Sequence, residues 1–160
     1  MIISYLGEEK FKIKTKDAEI LLSDGKIEID GFVIDCPGEY ERKNIFVESP
    51  IDKPAYKLFV EEVKMLYLGK VKSLTDREVE EIDGIDLIFL PGGSENSMDL
   101  KNALDLAATL EPGIIIPMLY ESMESLQKEV IEGEIVKSAK ISKSSIPEEG
   151  KMVVILEKNN

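Results

Sequence analysis

Two short apolar runs, IDLIFLP (85–91) and GIIIPM (113–118), restrict the fold more than any other feature of this chain. Each run is continuous rather than alternating, so the strand it forms must be covered on both faces. Between them lies SMDLKNALDLAATLEP. Here Met98, Leu100, Ala103, Leu104, Ala107, Ala108 and Leu110 make a broad apolar stripe at helical spacing. Ser97 reads as the N-cap of that helix. A second, shorter helix is predicted over 76–82, because Thr75 and Glu78 have capping-box spacing. A third amphipathic helix is predicted over ESMESLQKEV (121–130), followed by closing strands in EIVKSAKISK and KMVVILEK.

The first half reads as strands. Residues 2–6 and 11–15 flank a GEEK turn, and FKIKT alternates apolar with charged residues, the mark of a half-buried strand. AEILLS (18–23) and KIEID (26–30) flank Asp24-Gly25, a hairpin signal. FVID (32–35), NIFVES (44–49), AYKLFVEEV (55–63) and KMLYLGK (64–70) follow. Many antiparallel-like strands before a β-α-β-α-β-β series predict a layered α/β or α+β fold with helices covering a sheet. The 160 residues, 43% hydrophobic, suit one domain over 1–160.

Composition narrows the function. The net charge of −12 opposes binding to nucleic acid and to anionic lipid. No apolar stretch approaches the ~20 residues that span a bilayer, and MIISYLGEEKF is a poor signal peptide. One cysteine, Cys36, cannot form an internal disulfide, so a cytoplasmic protein is expected. Histidine is absent altogether. That removes Ser-His and Cys-His nucleophile systems and the usual base near neutral pH. It leaves zinc only cysteine or carboxylate donors, and one cysteine builds no cluster.

Several segments, in order, resemble metallo-β-lactamase-fold hydrolases, and in particular a subgroup of Zn-dependent hydrolases. They are ISYLGEEKF, AEILLSDG, CPGEYERKNIFV, YLGKVKSLTDREVEEIDGIDLIFLPGG, LEPGIIIPMLY and ISKSSIPEEGKMVVILE. The resemblance implies a shortened αββα sandwich. It also implies that Glu8 stands where the family usually has a histidine close to the site. Lys70 stands in place of the aspartate that bridges two metals, and Leu119 in place of a metal-binding histidine. The family's His-x-His-x-Asp-His loop would fall between Asp24 and Cys36, where only the eleven residues GKIEIDGFVID remain. Asp24, Tyr120 and these three positions therefore mark a former site, with no metal and no cofactor expected.

The expected function is a non-catalytic binding or assembly protein, as a homo-oligomer or with a protein partner, because loss of part of a helical layer exposes apolar sheet surface. Two alternatives stand beside it: a metal-dependent hydrolase with a rebuilt carboxylate site, and a small-ligand-binding module using the emptied cavity. An ion pair between Glu8 and Lys70 is one way to replace the metals. Asp24, Asp35, Glu39 and Glu41 form an acidic set suited to a hard cation, against the plainer reading of turns and solvated faces. Cys36 reads as a packed small hydrophobe, PGGSENS (91–97) as a loop, and Tyr40, Tyr67 and Tyr120 as packing residues with polar tips.

Overall fold

A computed structural model describes residues 1–128 and 132–159. Its strands are β1 (Ile2–Gly7), β2 (Lys10–Lys14), β3 (Glu19–Ser23), β4 (Lys26–Ile29), β5 (Phe32–Ile34), β6 (Glu39–Arg42), β7 (Ile45–Glu48), β8 (Tyr56–Val60), β9 (Val63–Tyr67), β10 (Leu87–Pro91), β11 (Ile114–Met118), β12 (Glu134–Val136), β13 (Ala139–Lys140) and β14 (Met152–Leu156). The helices are α1 (Asp76–Glu81), α2 (Leu100–Leu110) and α3 (Met123–Lys128). Residues 129 and 130 of the helix expected over 121–130 lie outside the described residues.

The strands form two sheets. One has the order β13-β1-β2-β3-β4-β5, and the other β12-β14-β11-β10-β9-β8-β7-β6. The first is antiparallel throughout, as its period-2 patterning predicts. Asp24 (φ 52°) and Gly25 (φ 70°) make the two-residue turn from β3 to β4, with Ser23 opposite Lys26. The second sheet is mixed, antiparallel from β6 to β9 and parallel from β9 to β12. Every residue of β10 and β11 is buried, which accounts for their unbroken apolar sequences.

The sheets pack face to face. Ile3, Phe11, Ile13, Ile20, Leu22, Ile27 and Ile29 of the first meet Leu58, Met65, Tyr67, Leu87, Phe89, Ile114 and Ile116 of the second. Each such side chain contributes about 1.5–3 kcal/mol by leaving water. A separate apolar cluster lies on the other side of the second sheet. There Leu66, Ile88, Leu90 and Ile115 pack with Ile82 and with Ala103, Leu106 and Ala107 of α2. The opposite face of the first sheet mixes Ser4, Lys12, Glu19 and Glu28 with the half-buried Leu6 and Leu21 and the exposed Ile2 and Val33, and carries an ion pair from Lys12 to Glu19 at 3.9 Å. The layers are thus two sheets with an apolar helical cover on the second.

Four local expectations are corrected. The break expected between 63 and 64 falls earlier, at Glu61 and Glu62, both at positive φ, which turn β8 into β9 so that Val63 begins β9. EIVKSAKISK serves both sheets: β12 lies parallel to β14, and β13 antiparallel to β1. The N-cap of α2 is Asp99, which accepts from Asn102 N–H at 2.8 Å, while Ser97 hydroxyl donates to the Ser94 carbonyl at 2.8 Å. Cys36 is exposed, with its thiol 3.4 Å from Asp35 Oδ1, so it packs nowhere.

Candidate functional site

The site is built where several chain reversals meet at one end of the sandwich. These are the β1–β2 turn at Glu8 and Glu9, the Asp24-Gly25 turn, the exit of β9 at Gly69 and Lys70, and the exit of β11 at Leu119 and Tyr120. Backbone contacts lock them together. The Glu8 carbonyl accepts from Leu119 N–H at 3.0 Å and from the Tyr5 hydroxyl at 2.7 Å. The Glu9 carbonyl accepts from the buried Tyr67 hydroxyl at 2.8 Å. The Leu119 carbonyl accepts from Ser94 N–H at 2.8 Å. Burial raises both Tyr5 and Tyr67 well above the usual phenol range, so both hydroxyls remain donors at any ordinary pH.

Aromatic rings fill the space behind. Phe11 and Phe89 lie 4.5 Å apart between centroids and Tyr5 and Phe11 4.9 Å. Tyr120 stacks 6.0 Å from Tyr5, and its hydroxyl reaches the Leu156 carbonyl at 3.4 Å. Gly92 seals the seam between β10 and β11, because a Cβ there would stand 2.6 Å from that of Tyr120.

Of the residues singled out from the sequence, Glu8, Asp24, Lys70, Leu119 and Tyr120 are all brought to this end. Their roles differ from expectation in one respect. Glu8 takes a left-handed backbone (φ 53°) and turns its carboxylate outward, 3.8 Å from Lys10. Glu9, next to it, points inward and has no accessible surface. Its Oε1 lies 3.7 Å from Lys70 Nζ. The ion pair foreseen for Glu8 therefore belongs to Glu9. The β-bulge between Tyr5 and Gly7, followed by a residue at positive φ, breaks the alternation that would have told the two glutamates apart.

Glu9 has an unusual electrostatic setting. Both carboxylate oxygens are buried without a hydrogen-bond donor among the described residues. Burial, and then the neighbouring Asp24 carboxylate, raise its pKa above the ordinary glutamate range. Asp24 is held below its usual range by its interaction with Glu9 beside it and by the Ser23 hydroxyl, which donates to it at 3.2 Å. This end of the sandwich thus sets one buried carboxylate beside Asp24 and the Lys70 ammonium.

It does not suit the metal pair that the resemblance implies. Lys70 places a cation where a bridging carboxylate is needed, and Leu119 places a buried alkyl group where a donor is needed. Among the described residues, no three His, Cys, Asp or Glu side chains gather as a metal-holding group. Asp24, Asp35, Glu39 and Glu41 do not converge. Asp35 is engaged with Cys36, and Glu39 and Glu41 are exposed on β6. Tyr67 is wholly buried and Tyr40 donates to the Cys36 carbonyl at 2.9 Å, so both serve packing and turn structure.

A family model described as "Beta-lactamase superfamily domain" matches residues 14–119, well over half of the chain. This chain belongs to the metallo-β-lactamase superfamily. Solved structures of the same fold extend the likeness along nearly the whole chain. A Thermotoga maritima protein of the metallo-β-lactamase superfamily superposes with a TM-score of 0.76 at 22% identity, covering 98% of this chain and 100% of its own. Igni18, a metallo hydrolase from the hyperthermophilic archaeon Ignicoccus hospitalis, gives 0.62 at 12% identity, covering 99% and 96%. At such identities the likeness concerns the fold. In this member of the superfamily the sandwich is kept, and Glu9, Asp24, Lys70, Leu119 and Tyr120 gather at one end of it. Among the described residues, no helix is long and apolar enough to cross a membrane.

Proposed function

We propose that this chain is a metal-free member of the metallo-β-lactamase superfamily that has lost hydrolysis and acts as a binding or assembly protein. The observation that carries this reading is the Lys70 ammonium paired with buried Glu9 at the end of β9. Hydrolysis in a metal site depends on cations that lower the pKa of a bound water and polarise the substrate. A fixed ammonium group repels such cations, and its own charge is already matched by Glu9. Leu119 adds an apolar wall to the same end, with 5% of its surface exposed.

The fold supports persistence without a metal. The turn at Glu8 is held by Tyr5 and Leu119, and Glu9 by Tyr67.

Elemental analysis of untagged protein purified without chelator tests the reading, together with hydrolysis assays on ester, amide and phosphoester substrates. About zero metal per chain and no chelator-sensitive rate is expected. One or two metals per chain, with activity lost to chelator, overturns it and turns attention to Glu8, Glu9 and Asp24 as ligands.

A further inference from the structure

The apolar helical cover on the second sheet includes Leu66 of β9 but no residue of β6, β7 or β8. Beyond it, β7 and β8 turn Phe46 and Phe59 to solvent, 48% and 39% exposed. The two residues are directly opposite in register, with rings 6.3 Å apart. Alternation along a half-covered strand assigns polar side chains to such outward positions, as Glu48 and Lys57 on the same face obey. Two outward phenylalanines side by side break that rule. A shallow cavity of about 340 Å³ lies over them, bordered by Glu39, Glu48, Lys57 and Lys64.

The register across four strands orders the charges. One row reads Glu41, Phe46, Phe59, Lys64 from β6 to β9. The neighbouring row reads Glu39, Glu48, Lys57, Leu66 in the same sense. The first row is acidic at one end and basic at the other, and the second sets Glu48 beside Lys57 at its centre, so turning the rows end for end brings Glu41 to Lys64 and Glu48 to Lys57. Among the described residues, neither Glu41 nor Lys64 has an ion-pair partner within the chain.

We infer that this face docks against the same face of a second copy of the chain, about a two-fold axis that runs along the strands between β7 and β8. That axis lies in the contact plane and exchanges the two ends of each row. It sets Phe46 over the partner's Phe59 and Glu41 over the partner's Lys64, an isologous contact. Face-to-face sheets with nearly aligned strands are an ordinary packing mode, about 10 Å apart. Net charge favours this face over others. Two copies at −12 repel across most of their surfaces. Here three carboxylates stand with two ammonium groups, so the repulsion is nearly cancelled locally. The dimer gives the assembly reading its partner and rests on that reading for its biological meaning.

Sedimentation velocity on the full chain, from micromolar to near-millimolar concentration at low salt, tests the dimer. Wild type is expected to sediment as a dimer, and Phe59→Glu as a monomer with unchanged far-ultraviolet circular dichroism. Glu41→Lys and Lys64→Glu are each expected to raise the dimer Kd roughly tenfold, because like charges then face each other across the axis. An equimolar mixture of these two singly substituted chains is expected to recover wild-type affinity, since in the mixed dimer every substituted position meets an opposite charge. A monomeric wild type overturns the inference. So does a dimer that survives Phe59→Glu, or a mixture no tighter than its components. Metal analysis of the same sample separates the two readings: a metal-free monomer removes only the dimer, and a metal-bearing dimer removes only the loss of hydrolysis.

Discussion

Lys70 Nζ stands 3.7 Å from Oε1 of Glu9, a carboxylate with no accessible surface. The lysine is half exposed and the glutamate is not, so the two partners differ in what they contribute. Lys70 retains much of its hydration, whereas Glu9 bears the desolvation cost. The relation is best understood as a cation placed to ease an acid that the fold has taken out of water.

The pH dependence of stability follows from Glu9. Its pKa is raised in the folded state, so between the ordinary glutamate value and the raised one the folded chain binds more protons than the unfolded chain. Stability contributed by this group is full below that window and falls as pH rises through it. Glu9→Gln keeps the shape and removes the ionisable group. The variant is expected to match wild type in acid and to exceed it in stability above the window, where wild type must hold a buried carboxylate charged. Urea unfolding at a series of pH values reads this directly. A difference that is constant with pH contradicts the raised pKa.

Tyr67 links the same residue to the core. Its ring packs edge-on to Phe89 and its hydroxyl donates to the Glu9 carbonyl in a fully buried contact. Tyr67→Phe keeps the ring and removes the donor. A loss of about 1–3 kcal/mol is expected in chemical denaturation, the usual cost of leaving a buried acceptor without its donor.

Helix α1 has only six residues, so its ends dominate its stability. Thr75 accepts from Glu78 N–H at 3.2 Å, and Glu78 accepts from Thr75 N–H at 2.9 Å. Thr75→Ala is expected to cost about 1 kcal/mol. Glu78→Ala should cost more, because the same carboxylate also meets Lys53 at 2.7 Å. Hydrogen exchange in 76–81 locates the loss in the helix, separate from the sandwich core.

Gly92 tests the seam at the site. A methyl group there meets the Met118 carbonyl at 2.9 Å as well as Tyr120, and backbone cannot yield as a flexible side chain does. Gly92→Ala is expected to destabilise by about 1–3 kcal/mol, the range for overpacking. The shift should appear in Tyr120 and Leu119 resonances before those of α1, since the crowding is local to the exits of β10 and β11.

Patterning in the sequence determined the elements. Unbroken apolar runs become β10 and β11 because both faces of those strands are covered, and alternation becomes the antiparallel first sheet because one face is wet. Asp24-Gly25 and Thr75 with Glu78 act through neighbours in the chain, so their turn and cap were legible without tertiary contacts. The positions singled out at this end of the sandwich were equally visible as departures from a resemblance. The tertiary structure decided which side chains those positions turn inward. Counting along the chain cannot choose between Glu8 and Glu9, because a bulge and a left-handed residue reset the period-2 phase between β1 and β2. Nor can it show that Phe46 and Phe59 share an uncovered face, since that depends on where helices from a distant part of the chain stop covering the sheet. Local geometry repeats with a fixed period and can be read from spacing. Burial depends on what arrives from elsewhere in the chain, and no spacing records it.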